Sequence, residues 1–248
     1  MPSNEAFPHL PDDWEPTRAT LHAYAHGVSA IPRAHAPAHP KWWHVSLKVA
    51  DDGLVTDPVQ LPNGDSLRLR MDLERHVTVI ETSNGPVDEF DMAAGDTGTA
   101  FADRLIAAVT GLGLKGEYAR EKFENEEVRE YDSEAAETFW EALTKAHEVF
   151  DAHRTAIDGE VGTLQLWPHG FDLSFEWFGT KIETHEEDGE TREYPSQLNL
   201  GFYPAGDAYF YSNPWPFDES LTATELPHGA EWHTEGWQGT MLRYADLA

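Results

Sequence analysis

The stretch FDLSFEWF, residues 171–178, decides the fold class of this chain. Its side chains alternate, with Asp172, Ser174 and Glu176 separated by large apolar residues. In an extended strand successive side chains point to opposite faces. Strict alternation is typical of an antiparallel sheet that is packed on one face only. The stretch therefore predicts an antiparallel strand with one buried face and one polar face.

Other segments show the same strand-like alternation or a helical spacing of apolar residues. Strands are predicted at Trp42–Ala50, Leu54–Gln60, Leu67–Leu73, His76–Thr82, Thr163–Trp167, Gln197–Tyr203, Ala208–Ser212 and Thr240–Tyr244. Helices are predicted from Trp14 to Ile31, from Thr97 to Gly111 and from Ser133 to Ile157. Strands and helices do not alternate regularly, as they would in a parallel sheet. The sequence therefore predicts an α+β fold with a mostly antiparallel sheet and a few helices.

The predicted elements follow a similar order in two parts of the chain. Residues 1–114 form a first α+β half, residues 115–132 an acidic connector, and residues 133–248 a second α+β half. Each half opens with a helix and continues through strands joined by glycine-containing turns. This order suggests an internal duplication within one compact globular unit.

The charge of the chain restricts its partners. The 248 residues include 45 Asp and Glu against 17 Lys and Arg, a formal net charge of −28. A polyanion would be repelled, so nucleic acid and anionic membrane are excluded as partners. The acids are spread along the chain, which favours adaptation to a salt-rich cytoplasm over mimicry of nucleic acid. The chain has no cysteine, so disulfides and cysteine nucleophiles are excluded.

Location is predicted from the lack of targeting signals. Residues 1–13 have neither a basic start nor an apolar run, and no stretch reaches the roughly 18 apolar residues of a membrane span. A cytoplasmic protein is expected. The sequence gives no oligomeric state.

Several short motifs resemble an uncharacterised, mainly bacterial family, domain-of-unknown-function family 5996. The motifs are Trp14 with Thr20-Leu21-His22, Trp42-Trp43-His44-Val45, Gly53-Leu54-Val55-Thr56, Tyr131-Asp132 with Phe139-Trp140, Phe171-Asp172-Leu173, Gly201-Phe202-Tyr203-Pro204 and Phe210-Tyr211. Their order matches the family over nearly the whole chain, although Gln197 stands where the family often has a histidine. The resemblance implies no activity, because none is established for the family.

The polar strand faces supply the candidate site. The proposed catalytic residues are His44, Asp172 and Glu176, since imidazole and carboxylate groups suit general acid–base work. The proposed ligand-binding residues are Trp42, Ser46, Trp167, Ser174, Gln197, Tyr209, Tyr211 and Trp215. If these faces converge, they form a cleft of aromatic and polar groups that orients a small polar ligand.

Three functions remain open from the sequence. The first is a protein that binds a small polar ligand in this cleft. The second is a cofactor-independent hydrolase or isomerase that uses His44 and Asp172, because no phosphate loop or dinucleotide fingerprint is present. Asp172 and Glu176 lie about 13 Å apart along a strand, too far for a glycosidase pair. The third is a structural or interaction protein.

His22 and His26 are the weak candidates for a metal site. They are four residues apart on a predicted helix, a spacing that can hold one ion. No glutamate lies between them as in zinc proteases. Exposed polar residues beside a His-rich connector are the favoured explanation of the pair, so no metal and no cofactor is expected.

Overall fold

The computed structural model describes residues 6–187 and 189–248 of the 248-residue chain. The helices are α1 (Glu15–His35), α2 (Gly98–Gly111) and α3 (Ser133–Ala156). The strands are β1 (Leu47–Ala50), β2 (Gly53–Thr56), β3 (Val59–Gln60), β4 (Ser66–Asp72), β5 (Val77–Thr82), β6 (Gly85–Asp91), β7 (Glu160–Val161), β8 (Gln165–Trp167), β9 (Asp172–Glu187), β10 (Glu190–Tyr203), β11 (Tyr209–Trp215), β12 (Glu231–His233) and β13 (Gly239–Arg243). The strand pairings whose registers are assigned are antiparallel. The predicted α+β class with a mostly antiparallel sheet is confirmed.

The chain divides into two compact units. The N-terminal unit comprises residues 8–144 and 165–171, and the C-terminal unit comprises residues 145–164 and 172–248 with residues 6–7. The boundary between residues 144 and 145 falls inside α3. The predicted division at residues 115–132 and the internal duplication stay predictions.

In the N-terminal unit, α1 and α2 pack closely beside an antiparallel sheet. Its strands run in the order β8, β1, β2, β4, β5, β6, and β3 pairs with β4. The rings of Tyr24 and Phe101 stack with centroids 3.9 Å apart, and both side chains are fully buried. A Cβ at Gly27 of α1 would lie 3.0 Å from the Cβ of Ala102, so glycine at this position helps the two helices to approach closely.

The predicted starts of the helices agree with the structure. Trp14 is the N-cap of α1, with proline in its first turn as expected. The hydroxyl of Thr97 accepts from the backbone N–H of Ala100 and caps α2. The carboxylate of Asp132, rather than the hydroxyl of Ser133, accepts from the N–H of Ala135 at the start of α3.

The C-terminal unit is built on strands in the order β12, β13, β11, β10, β9, with β7 on β9. One sheet face carries Phe175, Phe202 and Phe210, which pack with Phe150 from the end of α3. Leu173 and Phe175 are fully buried, as the alternation of residues 171–178 predicts. The opposite face carries Asp172, and this is the face that forms the candidate site.

The prediction of a strand from Trp42 to Ala50 is wrong at its beginning. Trp43–Val45 forms a short 3₁₀ helix, and β1 begins only at Leu47. Trp42 has a positive φ of 60°, and the hydroxyl of Ser46 donates to the carbonyl of Trp43 at 2.7 Å, which closes the turn. As a result His44 and Ser46 do not lie on an exposed strand face, since both are buried.

Some other details differ from the sequence predictions. Strand β9 continues beyond the predicted stretch 171–178 to Glu187, and β10 begins at Glu190 and not at Gln197. Asp188 lies outside the described residues. Trp177, which the alternation places in the core, is 40% exposed.

Candidate functional site

The polar face of the C-terminal sheet holds a cleft of about 290 Å³. We call it the tyrosine cleft. Its lining residues are Asp172, Asn199, Tyr203, Tyr209, Tyr211, Asn213 and Trp237. The volume lies at the lower end of the range of small-molecule sites, which begins at about 300 Å³. The cleft therefore suits a ligand of modest size.

The strand registers explain why these side chains meet. Antiparallel partners point to the same face of a sheet. In β10 and β11, Asn199 pairs with Asn213 and Tyr203 pairs with Tyr209. Between these two pairs, Gly201 lies opposite Tyr211. The alternation along both strands thus places every second residue on the floor or wall of the cleft.

Gly201 lets Tyr211 reach across the middle strand of the cleft. A Cβ at position 201 would lie 2.6 Å from Cε1 of Tyr211, so the tyrosine ring lies directly over the glycine. The hydroxyl of Tyr211 donates to Oδ2 of Asp172 on β9 at 2.5 Å. Ser174, which is buried, forms a further hydrogen bond with Tyr211. A serine–tyrosine–aspartate chain therefore fixes the carboxylate at the cleft.

Tyr211 serves as a hydrogen-bond donor and not as a base. Burial raises the pKa of Tyr211 well above its usual 10, and the charge of Asp172 and the hydrogen bond to it act in the same direction. Burial likewise raises the pKa of Tyr209, helped by Tyr203 and Asp172. Both phenols stay neutral in the physiological range, and the charge of the site is that of the carboxylate.

Aromatic rings form most of the cleft wall. The ring of Trp237 stacks on Tyr209 at 6.1 Å between centroids and meets Tyr211 edge to face at 6.1 Å. Tyr203 contacts Tyr209 at 5.3 Å. His233 packs behind Trp237 at 4.4 Å and supports it. Such contacts hold the rings in place and leave their faces and edges for a ligand.

The two asparagines differ in their hydrogen bonding. The side-chain amide nitrogen of Asn213 donates to the carbonyl of Gln238. Oδ1 of Asn199 is buried and accepts no hydrogen bond from the residues that the structure describes.

The structure brings only some of the predicted site residues into this cleft. Asp172, Tyr209 and Tyr211 line it, and Ser174 lies beneath it. The carboxylate of Glu176 is turned toward Gly162, where an added Cβ would collide with Oε2. Glu176 is therefore not part of the cleft lining.

Two predicted ligand-binding residues belong to a second cleft of the C-terminal unit. Gln197 and Trp215 line it together with Trp177, and its volume is about 300 Å³. The ring of Trp215 lies 5.3 Å from His185 and 6.4 Å from Tyr194. These contacts place Trp215 in an aromatic cluster on the long β9–β10 hairpin.

The remaining predicted residues belong to the N-terminal unit. Burial lowers the pKa of His44, and its Nδ1 accepts from the backbone N–H of His39. The ring of Trp42 is 57% exposed and lies 5.7 Å from His44. Ser46 accepts from Lys48 at 2.7 Å and is fully buried. Trp167 packs against His169. Because His44 and Asp172 belong to different units, their pairing stays a prediction.

His22 and His26 stack on each other with ring centroids 4.9 Å apart. Nε2 of His22 donates to the carbonyl of Pro168 at 2.8 Å, and Arg18 approaches its Nδ1 at 3.4 Å. Both ring nitrogens of His22 are thus engaged within the protein. In the part of the chain that the structure describes, no group of three or more His, Asp or Glu residues could hold a metal ion.

Four residues of the tyrosine cleft are not in the predicted set, namely Asn199, Tyr203, Asn213 and Trp237. The first three follow from alternation, because they share the face of Tyr209 and Tyr211 on β10 and β11. Trp237 lies in the turn between β12 and β13, where no periodicity fixes the direction of a side chain.

The fold and the cleft define an α+β protein with an aromatic and acidic site on an antiparallel sheet. Within the described ranges, no helix is both long and apolar enough to span a membrane. The model of the family described as "Family of unknown function (DUF5996)" matches residues 7–248, essentially the whole chain. The chain belongs to this family, and the resemblance seen in its motifs is confirmed. No curated protein and no solved structure matches it.

Proposed function

We propose that the protein binds a small polar ligand in the tyrosine cleft. The observation that carries this proposal is the carboxylate of Asp172, which Tyr211 fixes among the rings of Tyr203, Tyr209 and Trp237. A few oriented polar groups among aromatic side chains are the usual composition of a ligand site. Aromatic residues supply contact area, while the polar groups fix the orientation of the ligand.

The rigidity of the cleft supports binding. Tyr211 cannot rotate freely, because it lies over Gly201 and is hydrogen-bonded to Asp172. Trp237 is held between Tyr209 and His233. A site that is ordered before binding loses little conformational entropy when the ligand enters.

Catalysis by His44 and Asp172 remains the second candidate from the sequence, and the structural or interaction role is the third. Within the C-terminal unit, Asp172 accepts its hydrogen bond from a tyrosine and lies beside no histidine of the cleft lining. The groups of the cleft itself favour orientation of a ligand over proton transfer, because the neutral phenol of Tyr211 stays protonated.

A ligand-observed NMR screen tests the proposal. Small sugars, polyols, alkylammonium ions and carboxylates are added to the wild type and to Trp237→Ala. We expect at least one class to give saturation-transfer signals that Trp237→Ala weakens, because the variant removes one wall of the cleft.

Trp232→Ala is the matched control. Trp232 lies on β12, pairs with Thr240 and donates its ring N–H to the carbonyl of Thr224, outside the cleft. It should leave ligand signals unchanged. If no compound distinguishes Trp237→Ala from Trp232→Ala, the proposed function is wrong.

We also propose that the acidic surface is an adaptation to high salt. The chain has 45 Asp and Glu against 17 Lys and Arg, and many of the acids are exposed. At molar salt the Debye length is about 3 Å, so repulsion between surface carboxylates is largely screened. A cytoplasmic location would fit this proposal.

A further inference from the structure

The tyrosine cleft combines hydrogen-bond donors with the carboxylate of Asp172. Tyr211 uses its hydroxyl hydrogen on Asp172, and the amide nitrogen of Asn213 donates to Gln238. The carboxylate of Asp172 accepts hydrogen bonds and donates none, and its two oxygens have about four lone-pair sites. A ligand group with several N–H donors matches this carboxylate.

The electrostatics of the cleft favour a positive charge. The faces of tyrosine and tryptophan rings attract cations, most strongly where water is excluded. Asp172 adds a formal negative charge at the centre of these rings. The net charge of −28 also attracts cations toward the protein from a distance.

One cation lies near the cleft on the same sheet face. Arg243 of β13 pairs with Tyr209 across the strands and is exposed. Its guanidinium opposes a second positive charge at that end of the cleft. The cationic end of a ligand is therefore expected near Asp172 and Trp237, away from Arg243.

We propose that the ligand is a small organic cation with an ammonium group. The ammonium donates to Asp172, and the carbon skeleton packs on Tyr209 and Trp237. This inference rests on the proposed function, because it names the class of ligand that the same cleft binds. It excludes neutral sugars as the preferred ligands.

Cyclohexylammonium and cyclohexanol form a matched pair of probes, because they have the same number of heavy atoms and differ in charge. Dissociation constants are measured by NMR titration at constant KCl concentration, with glucose as a neutral sugar. We expect cyclohexylammonium to bind at least about tenfold more tightly than cyclohexanol. Only the cation can form both a cation–π contact with the rings and an ion pair with the carboxylate.

Asp172→Asn tests the role of the charge. The asparagine keeps an oxygen that accepts from Tyr211, so the fold of the cleft is preserved, and circular dichroism verifies this. The ratio of the dissociation constant of cyclohexanol to that of cyclohexylammonium should fall toward one. Arg243→Gln should increase the affinity for cyclohexylammonium, whereas Trp237→Ala should weaken both probes.

The possible results separate the two proposals. If cyclohexanol or glucose binds as tightly as cyclohexylammonium and Trp237→Ala weakens that binding, the cleft binds ligands but the preference for cations is wrong. If Asp172→Asn leaves the preference unchanged, the carboxylate is not its source and the inference also fails. If Trp237→Ala weakens no probe, the proposed function itself is wrong.

Discussion

Tyr211 donates its hydroxyl hydrogen to Asp172 across an intervening strand. The two residues lie on β11 and β9, and β10 runs between them. The contact is possible because β10 carries Gly201 at the crossing point, where a Cβ would lie 2.6 Å from Cε1 of the tyrosine ring. The shape of the cleft thus depends on a residue that has no side chain.

Gly201→Ala should move Tyr211 away from Asp172. The added methyl group would overlap the ring, and overpacking of this kind costs about 1–3 kcal/mol of unfolding free energy. Chemical denaturation gives the free energy, and ultraviolet titration reports whether the high pKa of Tyr211 is lost. Gly111→Ala is the control, because a Cβ at Gly111 meets nothing within 4 Å. Equal stability of both variants would contradict the proposed role of Gly201.

A second prediction concerns the ion pairs of the N-terminal sheet. Arg70 contacts Asp72 at 2.6 Å and Glu81 at 2.9 Å, and the Arg70 and Asp72 side chains are only 10% and 8% exposed. Arg70→Met leaves buried carboxylates without this cation, which typically costs about 3–5 kcal/mol. Urea unfolding measures the loss.

Arg75→Met provides the comparison for Arg70→Met. Arg75 pairs with Glu89 at 2.9 Å, but its side chain is 53% exposed. Exposed pairs contribute only about 0–1 kcal/mol, so this variant should be nearly as stable as the wild type. Similar losses in both variants would show that burial does not decide the strength of these pairs.

The third prediction concerns acid stability. Burial lowers the pKa of His26 to about 4, and the charges of His22, His169 and Arg33 act in the same direction. Below pH 6.5 the unfolded chain binds a proton at this histidine that the folded protein does not bind until about pH 4. The contribution of neutral His26 to the unfolding free energy is therefore complete above pH 6.5 and is lost as the pH falls toward 4.

His26→Gln should make stability less dependent on pH in this window. The slope of the unfolding free energy against pH should change by an amount that corresponds to at most about one bound proton, because one titrating group is removed. Urea unfolding from pH 4.5 to 7.5 measures the slope, and NMR titration of the imidazole follows the protonation directly. An unchanged slope, or a histidine that titrates near 6.5, would contradict the effect of burial.

Much of the fold could be predicted, because alternation and helical spacing are local signals. The strand at residues 172–178 and the apolar stripe of α1 follow directly from them. The turn at Trp42–Ser46 could not be predicted, since its aromatic and β-branched residues favour a strand. A positive φ at Trp42 and the hydrogen bond of Ser46 to Trp43 override that preference.

The candidate site could be predicted only where it lies on regular strands. Asp172 and Tyr211 follow from alternation, although their contact depends on Gly201 and on the register of three strands. Trp237 depends on the path of a turn, which a sequence pattern does not determine. The prediction that His44 lies on a polar strand face is wrong for a related reason, because the 3₁₀ turn buries its side chain.

The last prediction concerns salt. If the acidic surface is an adaptation to high salt, the melting temperature should fall when KCl is reduced from 2 M to 0.1 M. The Debye length then grows from about 3 Å or less to about 10 Å, so that exposed carboxylates repel each other. Thermal unfolding followed by circular dichroism measures the effect. Neutral sorbitol at equal osmolality separates screening from a general osmolyte effect.

A charge-reduced variant shows whether the surface acids cause this dependence. Glu117, Glu126 and Glu130 are exposed in the acidic segment before α3, and changing all three to Gln changes the net charge from −28 to −25. This variant should lose less stability at 0.1 M KCl than the wild type does, because fewer carboxylates repel one another. A wild-type protein that melts at the same temperature in 0.1 M and 2 M KCl would refute the adaptation to salt. An identical salt dependence in the variant would instead place its origin outside this acidic segment.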